Sequence, residues 1–103
     1  MHQNFNRRFS PNRRRTRVEA LLHVDDRVLP GMILDVSYDG MKLSIPGNLP
    51  QGTAVTVEVL GEQIPAIVHW SKNLFAGLHL LRRLDRATLV TLETAHDDLA
   101  EFR

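Results

Sequence analysis

Val55-Thr56-Val57-Glu58-Val59-Leu60-Gly61-Glu62-Gln63-Ile64-Pro65-Ala66-Ile67-Val68-His69-Trp70 is the stretch on which the fold turns. Val55, Val57 and Val59 alternate with Thr56 and Glu58, the period of a strand with one buried face. Gly61-Glu62 follows as a two-residue connection of the Gly-first hairpin type. The chain then returns through a second extended run from Gln63 to Trp70. The same grammar repeats on both sides. Upstream, Val18, Ala20, Leu22 and Val24 alternate with Glu19, Leu21 and His23, and Asp25-Asp26 offers a turn. Arg27 to Val36 reads as a strand with a bulge or bend expected at Pro30-Gly31. Tyr38-Asp39-Gly40 is a tight turn in which Gly40 is free to take a positive φ. Met41, Leu43 and Ile45 form a third strand, and Pro46 to Gly52 is loop. Downstream, Phe75 to Leu81 gives a sixth strand. Six short strands joined by tight turns predict an antiparallel barrel or sandwich.

Beyond the strands the period changes to that of a helix. Leu84, Thr88, Leu92, Ala95, Leu99 and Phe102 recur at spacings of three or four, with Asp85 as N-cap. A helix over about 85–102 is expected to pack across an open end of the sheet structure.

Charge is unevenly spread along the 103 residues. Residues 1–17 hold six arginines (Arg7, Arg8, Arg13, Arg14, Arg15, Arg17) and no acid. The rest carries seven of the 13 basic residues and all 12 acids, a balance of −5. The reading is therefore a flexible Arg-rich arm over 1–17, repelled by its own charge, and a mildly acidic folded body over 18–103. Such an arm is either a solvated tail or a clamp for an anion. An Arg-rich, acid-free start also fits an organelle transit peptide, but it holds a single serine, and Pro11 interrupts any helical face.

Several function classes lose support. The chain has no cysteine, which removes disulfides, thiolate metal sites and cysteine catalysis and fits a cytoplasmic protein. No apolar run is long enough to insert in a membrane. None of the five histidines forms a helical metal pair; His69 and His79 lie on neighbouring strands without an acidic or thiolate partner. Ser37 lies outside any nucleophile elbow, and no phosphate loop or dinucleotide fingerprint occurs. Asp35 and Asp39 could form an acid–base pair, with no pocket signal around them. An enzyme is not expected, nor is a metal or a cofactor.

Two clusters share one chemistry: Arg13-Arg14-Arg15-Thr16-Arg17, and Asp35-Val36-Ser37-Tyr38-Asp39-Gly40. Both fall at strand ends, so in a small barrel they can face one rim. Guanidinium groups fork onto phosphate oxygens and stack on purines. A carboxylate such as Asp35 accepts two parallel bonds from the N1–H and N2–H edge of guanine, an edge adenine lacks. Ser37 adds a small hydroxyl, and Gly40 lets the backbone approach a base. Several arginines imply more than one phosphate.

Arg-x-x-x-Arg at Arg13 and Arg17, followed by Asp-x-Ser-x-x-Gly at Asp35, Ser37 and Gly40, resembles the pattern of the PilZ domain, a bacterial receptor for cyclic di-GMP. The Val68-x-Trp70 strand followed by Gly77 is similar to that family's closing hairpin. The resemblance implies a six-stranded antiparallel β-barrel with a flexible basic arm and a C-terminal helix. It implies that Arg13 and Arg17, helped by Arg14, grip phosphates and stack on guanine, with Asp35 on a guanine edge and Ser37 and Gly40 shaping the turn. It leaves open which of Arg14 and Arg15 faces the ligand. Trp70 is either an apolar wall beside the ligand or a core residue. The implied signal is ordering of the arm, read by a separate downstream protein. Two other readings stand beside this one: a single-stranded nucleic-acid-binding barrel, disfavoured by the acidic body, and a non-binding scaffold that only docks proteins.

Overall fold

The structure is a computed structural model that describes the backbone of residues 14–101 and the side chains of 14–95. Six strands, β1 (Arg14–Val24), β2 (Arg27–Val36), β3 (Gly40–Ser44), β4 (Ala54–Val59), β5 (Glu62–Lys72) and β6 (Phe75–Leu80), precede one helix, α1 (Arg86–Glu101). All strand pairs are antiparallel, and the order β1-β2-β3-β6-β5-β4 closes into a barrel. The alternation seen in the sequence is the inside–outside alternation of the wall. Leu22, Ile33, Leu43, Val57, Ile64 and Val68 fill the interior at 1% exposure or less.

Four local features differ from expectation. β1 begins at Arg14, so the last four residues of the expected arm, Arg14 to Arg17, belong to the wall. Alternation continues through them, with Thr16 buried between the exposed Arg15 and Arg17. Second, the hairpin between β4 and β5 turns on Leu60-Gly61, since Val59 pairs with Glu62. Both turn residues have positive φ, 52° and 78°, the type I′ geometry whose twist suits a hairpin. Third, β2 pairs with β1 without interruption at Pro30 and Gly31. β3 joins β2 only from Met32 onward, so the missing N–H of Pro30 interrupts no second ladder. The irregularities fall between Ile33 and Asp35, and opposite them between Arg15 and Val18. Fourth, Gly40 is not among the residues with positive φ.

α1 starts where Asp85 Oδ1 accepts the Thr88 backbone N–H at 2.8 Å, the geometry of an N-cap bonded to N3. That bond, then the Thr88 hydroxyl, with a smaller contribution from the Arg82 guanidinium, holds the Asp85 carboxyl below its ordinary pKa. The helix packs against the start of β1 through Leu89 and Leu92, both fully buried. The buried Thr16 hydroxyl donates to the Leu92 carbonyl. Thr88, expected on the buried face, is only half-buried; Leu89 takes that place, three residues before Leu92. Leu99 and Phe102 lie outside the described side chains.

Candidate functional site

The turn between β2 and β3 is fixed by its own backbone. The Ser37 N–H donates to the Gly40 carbonyl at 2.9 Å. Its carbonyls are claimed from outside: Leu80 N–H reaches Asp39 O at 2.9 Å, and Leu84 N–H reaches Tyr38 O at 2.7 Å. Arg83 lies over the Tyr38 ring, 4.5 Å from its centroid. The Ser37 hydroxyl stays within the turn, 3.3 Å from Asp39 Oδ1. A turn held from several sides presents a constant face to a ligand.

Beside it, cross-strand register builds a row over five strands. Arg15 is opposite Asp35, Asp35 opposite Lys42, Lys42 opposite Gly77, and Gly77 opposite Trp70. Neighbours in such a row sit about 5 Å apart. Asp35, Lys42, Gly77 and Trp70 belong to the outer face, because Val36, Met41, Leu43, Ala76 and Leu78 beside them point into the core. Along this row lies an open cleft of about 360 Å³, lined among others by Asp35, Ser37, Gly40, Lys42, His69 and Trp70.

Trp70 reaches this face through a bulge. The register of β5 against β6 shifts between Val68 and Trp70, so His69 is an extra residue and both His69 and Trp70 end exposed. The indole, 39% exposed, lies flat on Gly77. A Cβ at Gly77 would stand 2.1 Å from Trp70 Nε1 and 2.5 Å from Cε2, so any side chain there would force the indole off the strand. Trp70 is thus a wall of the cleft and not a core residue. At Gly40, which lines the cleft, an added Cβ would make ordinary contacts, 3.4 Å to Ser37 Oγ and 3.5 Å to Leu78 O.

The arginines divide. Arg15 and Arg17 are exposed on the outer wall, Arg15 directly beside Asp35. Arg14 is opposite the buried Val36 and turns toward α1, where Nε pairs with Glu93 Oε1 at 3.4 Å. Arg13 lies outside the described residues, as does the rest of the expected arm ahead of Arg14. The structure therefore brings together Asp35, Ser37, Gly40 and Trp70, sets Arg17 on the same outer wall, and places Arg14 on the other face of β1. Lys42, His69 and Gly77 were not singled out for this cleft. Lys42 was legible as the outward position between Met41 and Leu43, and Gly77 as a glycine interrupting a strand opposite a tryptophan strand. Lys42 Nζ also lies 5.2 Å from the Phe75 ring centroid.

His69 and His79 do sit on adjacent strands, with His79 opposite Ile67. Among the described residues no group of three His, Asp or Glu could hold a metal ion. No helix among them is long and apolar enough to cross a membrane.

A family model described as the PilZ domain matches residues 6–95. This chain belongs to the PilZ family. Among solved structures it is similar to the PilZ domain of CeSA from a cellulose synthesizing bacterium, with a TM-score of 0.57 and 18% identity over 85% of this chain and 97% of that one. At that identity the likeness is one of fold, and it agrees with the closed six-stranded barrel. A search of the curated proteins finds no match. PilZ domains are in general receptors for cyclic di-GMP and act by binding, not by catalysis.

Proposed function

We propose that this PilZ domain is itself a cyclic di-GMP receptor, with the ligand on the outer wall between β1 and the β2–β3 turn. The observation that supports the reading is the register that sets Arg15 directly opposite Asp35 at the edge of the cleft. A guanine edge then meets the Asp35 carboxylate, which accepts the paired N1–H and N2–H donors. Arg17 and Arg13 take the phosphates, and Arg15, opposite Asp35, takes the helping role first given to Arg14, which pairs with Glu93 on the other face. Ser37 and Gly40 keep the turn narrow, and Trp70 forms an apolar wall on which a base can stack. Lys42, opposite Asp35 on β3, adds a further cation to the same cleft.

Magnitudes fit a signalling ligand. Each charge-assisted hydrogen bond contributes roughly 1.5–3 kcal/mol before ordering costs. Three or four of them, less the ordering of the arginine segment, leave a net near the ~8 kcal/mol of a micromolar complex. Ordering of the N-terminal residues over the ligand changes the surface seen by a separate protein, the output of this cytoplasmic receptor. The single tryptophan makes the first test direct. Cyclic di-GMP titrated into the full chain is expected to change Trp70 emission saturably, and GTP and a single-stranded oligonucleotide are not. Binding of the oligonucleotide with a steep salt dependence would favour a nucleic-acid barrel. A response to none of the three would leave a protein-docking scaffold.

A further inference from the structure

The bulge in β5 turns two neighbouring side chains outward, Trp70 and His69. Trp70 supplies the wall of the cleft, and His69 lines the same cleft. Bulges beside binding sites re-aim side chains that plain alternation would send elsewhere. Among the described residues His69 has no hydrogen-bond or ion-pair partner, unlike His23, whose Nε2 is 2.7 Å from Glu58 Oε1. Nothing in the fold therefore requires an imidazole there. Histidine is also the one side-chain type in the cleft lining whose charge ordinarily changes between about pH 5 and 8. The charged and titratable groups around it are few. Asp35 on β2, Asp39 in the turn and Lys42 on β3 share the cleft. β6 carries His79, opposite Ile67, and Lys72 lies farther along β5 itself. On the other side of β5, Gly52 and Thr53 bond to Val68 through the backbone and bring no charge.

Position selects the part of the ligand that His69 would meet. β2 and β5 are three strand spacings apart, about 14 Å around the wall. Arg15 and Arg17 stand at one end of the row, beyond Asp35, and His69 stands at the other. A cyclic dinucleotide carries its two phosphodiesters on opposite sides of its ring. With one guanine at Asp35 and one phosphodiester at the arginines, the other is left for the β5 end of the cleft. We propose that His69, in its protonated form, binds this second phosphodiester, so that proton and nucleotide are taken up together; this rests on the receptor reading. An imidazolium N–H donates a charge-assisted hydrogen bond to a phosphate oxygen, and the neutral ring lacks the charge. By linkage, the protonated protein binds the nucleotide more tightly and the bound nucleotide holds the proton more tightly. Affinity therefore rises on acidification from about pH 8 toward about pH 6.

Calorimetry of cyclic di-GMP with the full chain tests this at about pH 6 and about pH 8.5, a window above the ordinary carboxylate range. The natural chain is expected to bind about tenfold more tightly at the lower pH, the worth of one charge-assisted bond. His69→Gln is expected to bind at both pH values with the affinity that the natural chain shows at the higher one. His69→Lys, whose charge is constant across this window, is expected to bind tightly at both. Proton uptake gives a second readout. Near neutrality the binding heat of the natural chain is expected to depend on the ionisation enthalpy of the buffer, and that of His69→Gln is not. Equal affinity of the natural chain at both pH values, or a pH dependence that persists in His69→Gln, would overturn the proposal and leave the receptor reading standing. Absence of binding at both pH values would overturn the receptor reading, and this proposal with it.

Discussion

Gly77→Ala is the smallest change that strikes the cleft wall. The new Cβ would sit 2.1 Å from Trp70 Nε1, 2.5 Å from Cε2 and 2.8 Å from Cδ1. Ordinary carbon contacts begin near 3.5 Å, so the nearest edge of the indole must retreat by about 1.5 Å. The strand backbone cannot supply that shift, because Ala76 and Leu78 on either side are locked in the core at 0% and 4% exposure. The ring therefore lifts off β6 into the cleft. Trp70 is 39% exposed, so its packed part covers on the order of 150 Å², worth about 4 kcal/mol at 25 cal/mol per Å². Losing up to half of this, offset by the smaller chain entropy of alanine, leaves a net cost of about 1–2 kcal/mol. For a domain of this size that lowers Tm by roughly 4–15 °C. Thermal unfolding followed by circular dichroism measures it, and Trp70 emission shifts to the red as the ring enters water. The decisive comparison is the same substitution in a Trp70→Ala background, where it becomes neutral or stabilising. Equal cost with and without the indole would refute the seating of Trp70 on Gly77.

Two further outcomes follow from local geometry. Asn73 and Leu74 both have positive φ, 57° and 66°, in the β5–β6 turn, so Leu74→Gly, which completes an Asn-Gly pair, is expected to raise stability by about 0.5–1 kcal/mol in urea unfolding; a loss of stability would contradict the turn assignment. Asp85 has its carboxyl pKa lowered in the folded state by the Thr88 bonds, so its contribution is present above the unfolded pKa and fades as pH falls through the folded value. The difference in Tm between the natural chain and Asp85→Ala should therefore be largest near neutrality and close on acidification; a gap that is constant with pH would remove the cap from the account.

Much of the architecture was legible because burial alternates without interruption along Val18–Val24, Met41–Ile45 and Val55–Val59, and period alone separates those runs from the helix. The details that escaped are tertiary. Leu60-Gly61 became the hairpin turn because the pairing of Val59 with Glu62 sets the loop, and the dipeptide alone does not reveal register. The face of Arg14 was hidden for a related reason: only a wall continuing to Thr16, whose hydroxyl meets Leu92, divides Arg14 from Arg15. Trp70 could be read as core or cleft, since the alternation Ile64, Ala66, Val68 points the next even position inward. The extra residue in β5 at His69 reverses it. In the candidate site, Asp35, Ser37 and Gly40 were readable as one turn. Lys42 and Gly77 join them only through pairing with strands distant in the chain.

The most direct test of the account is calorimetry of cyclic di-GMP with the full chain and with Asp35→Ala and Arg17→Ala. Micromolar binding to the natural chain is expected, weakened at least about tenfold, or ~1.4 kcal/mol, by either substitution. Undiminished affinity in both variants would contradict the claim that the arginine strand and the carboxylate turn hold one guanine nucleotide between them.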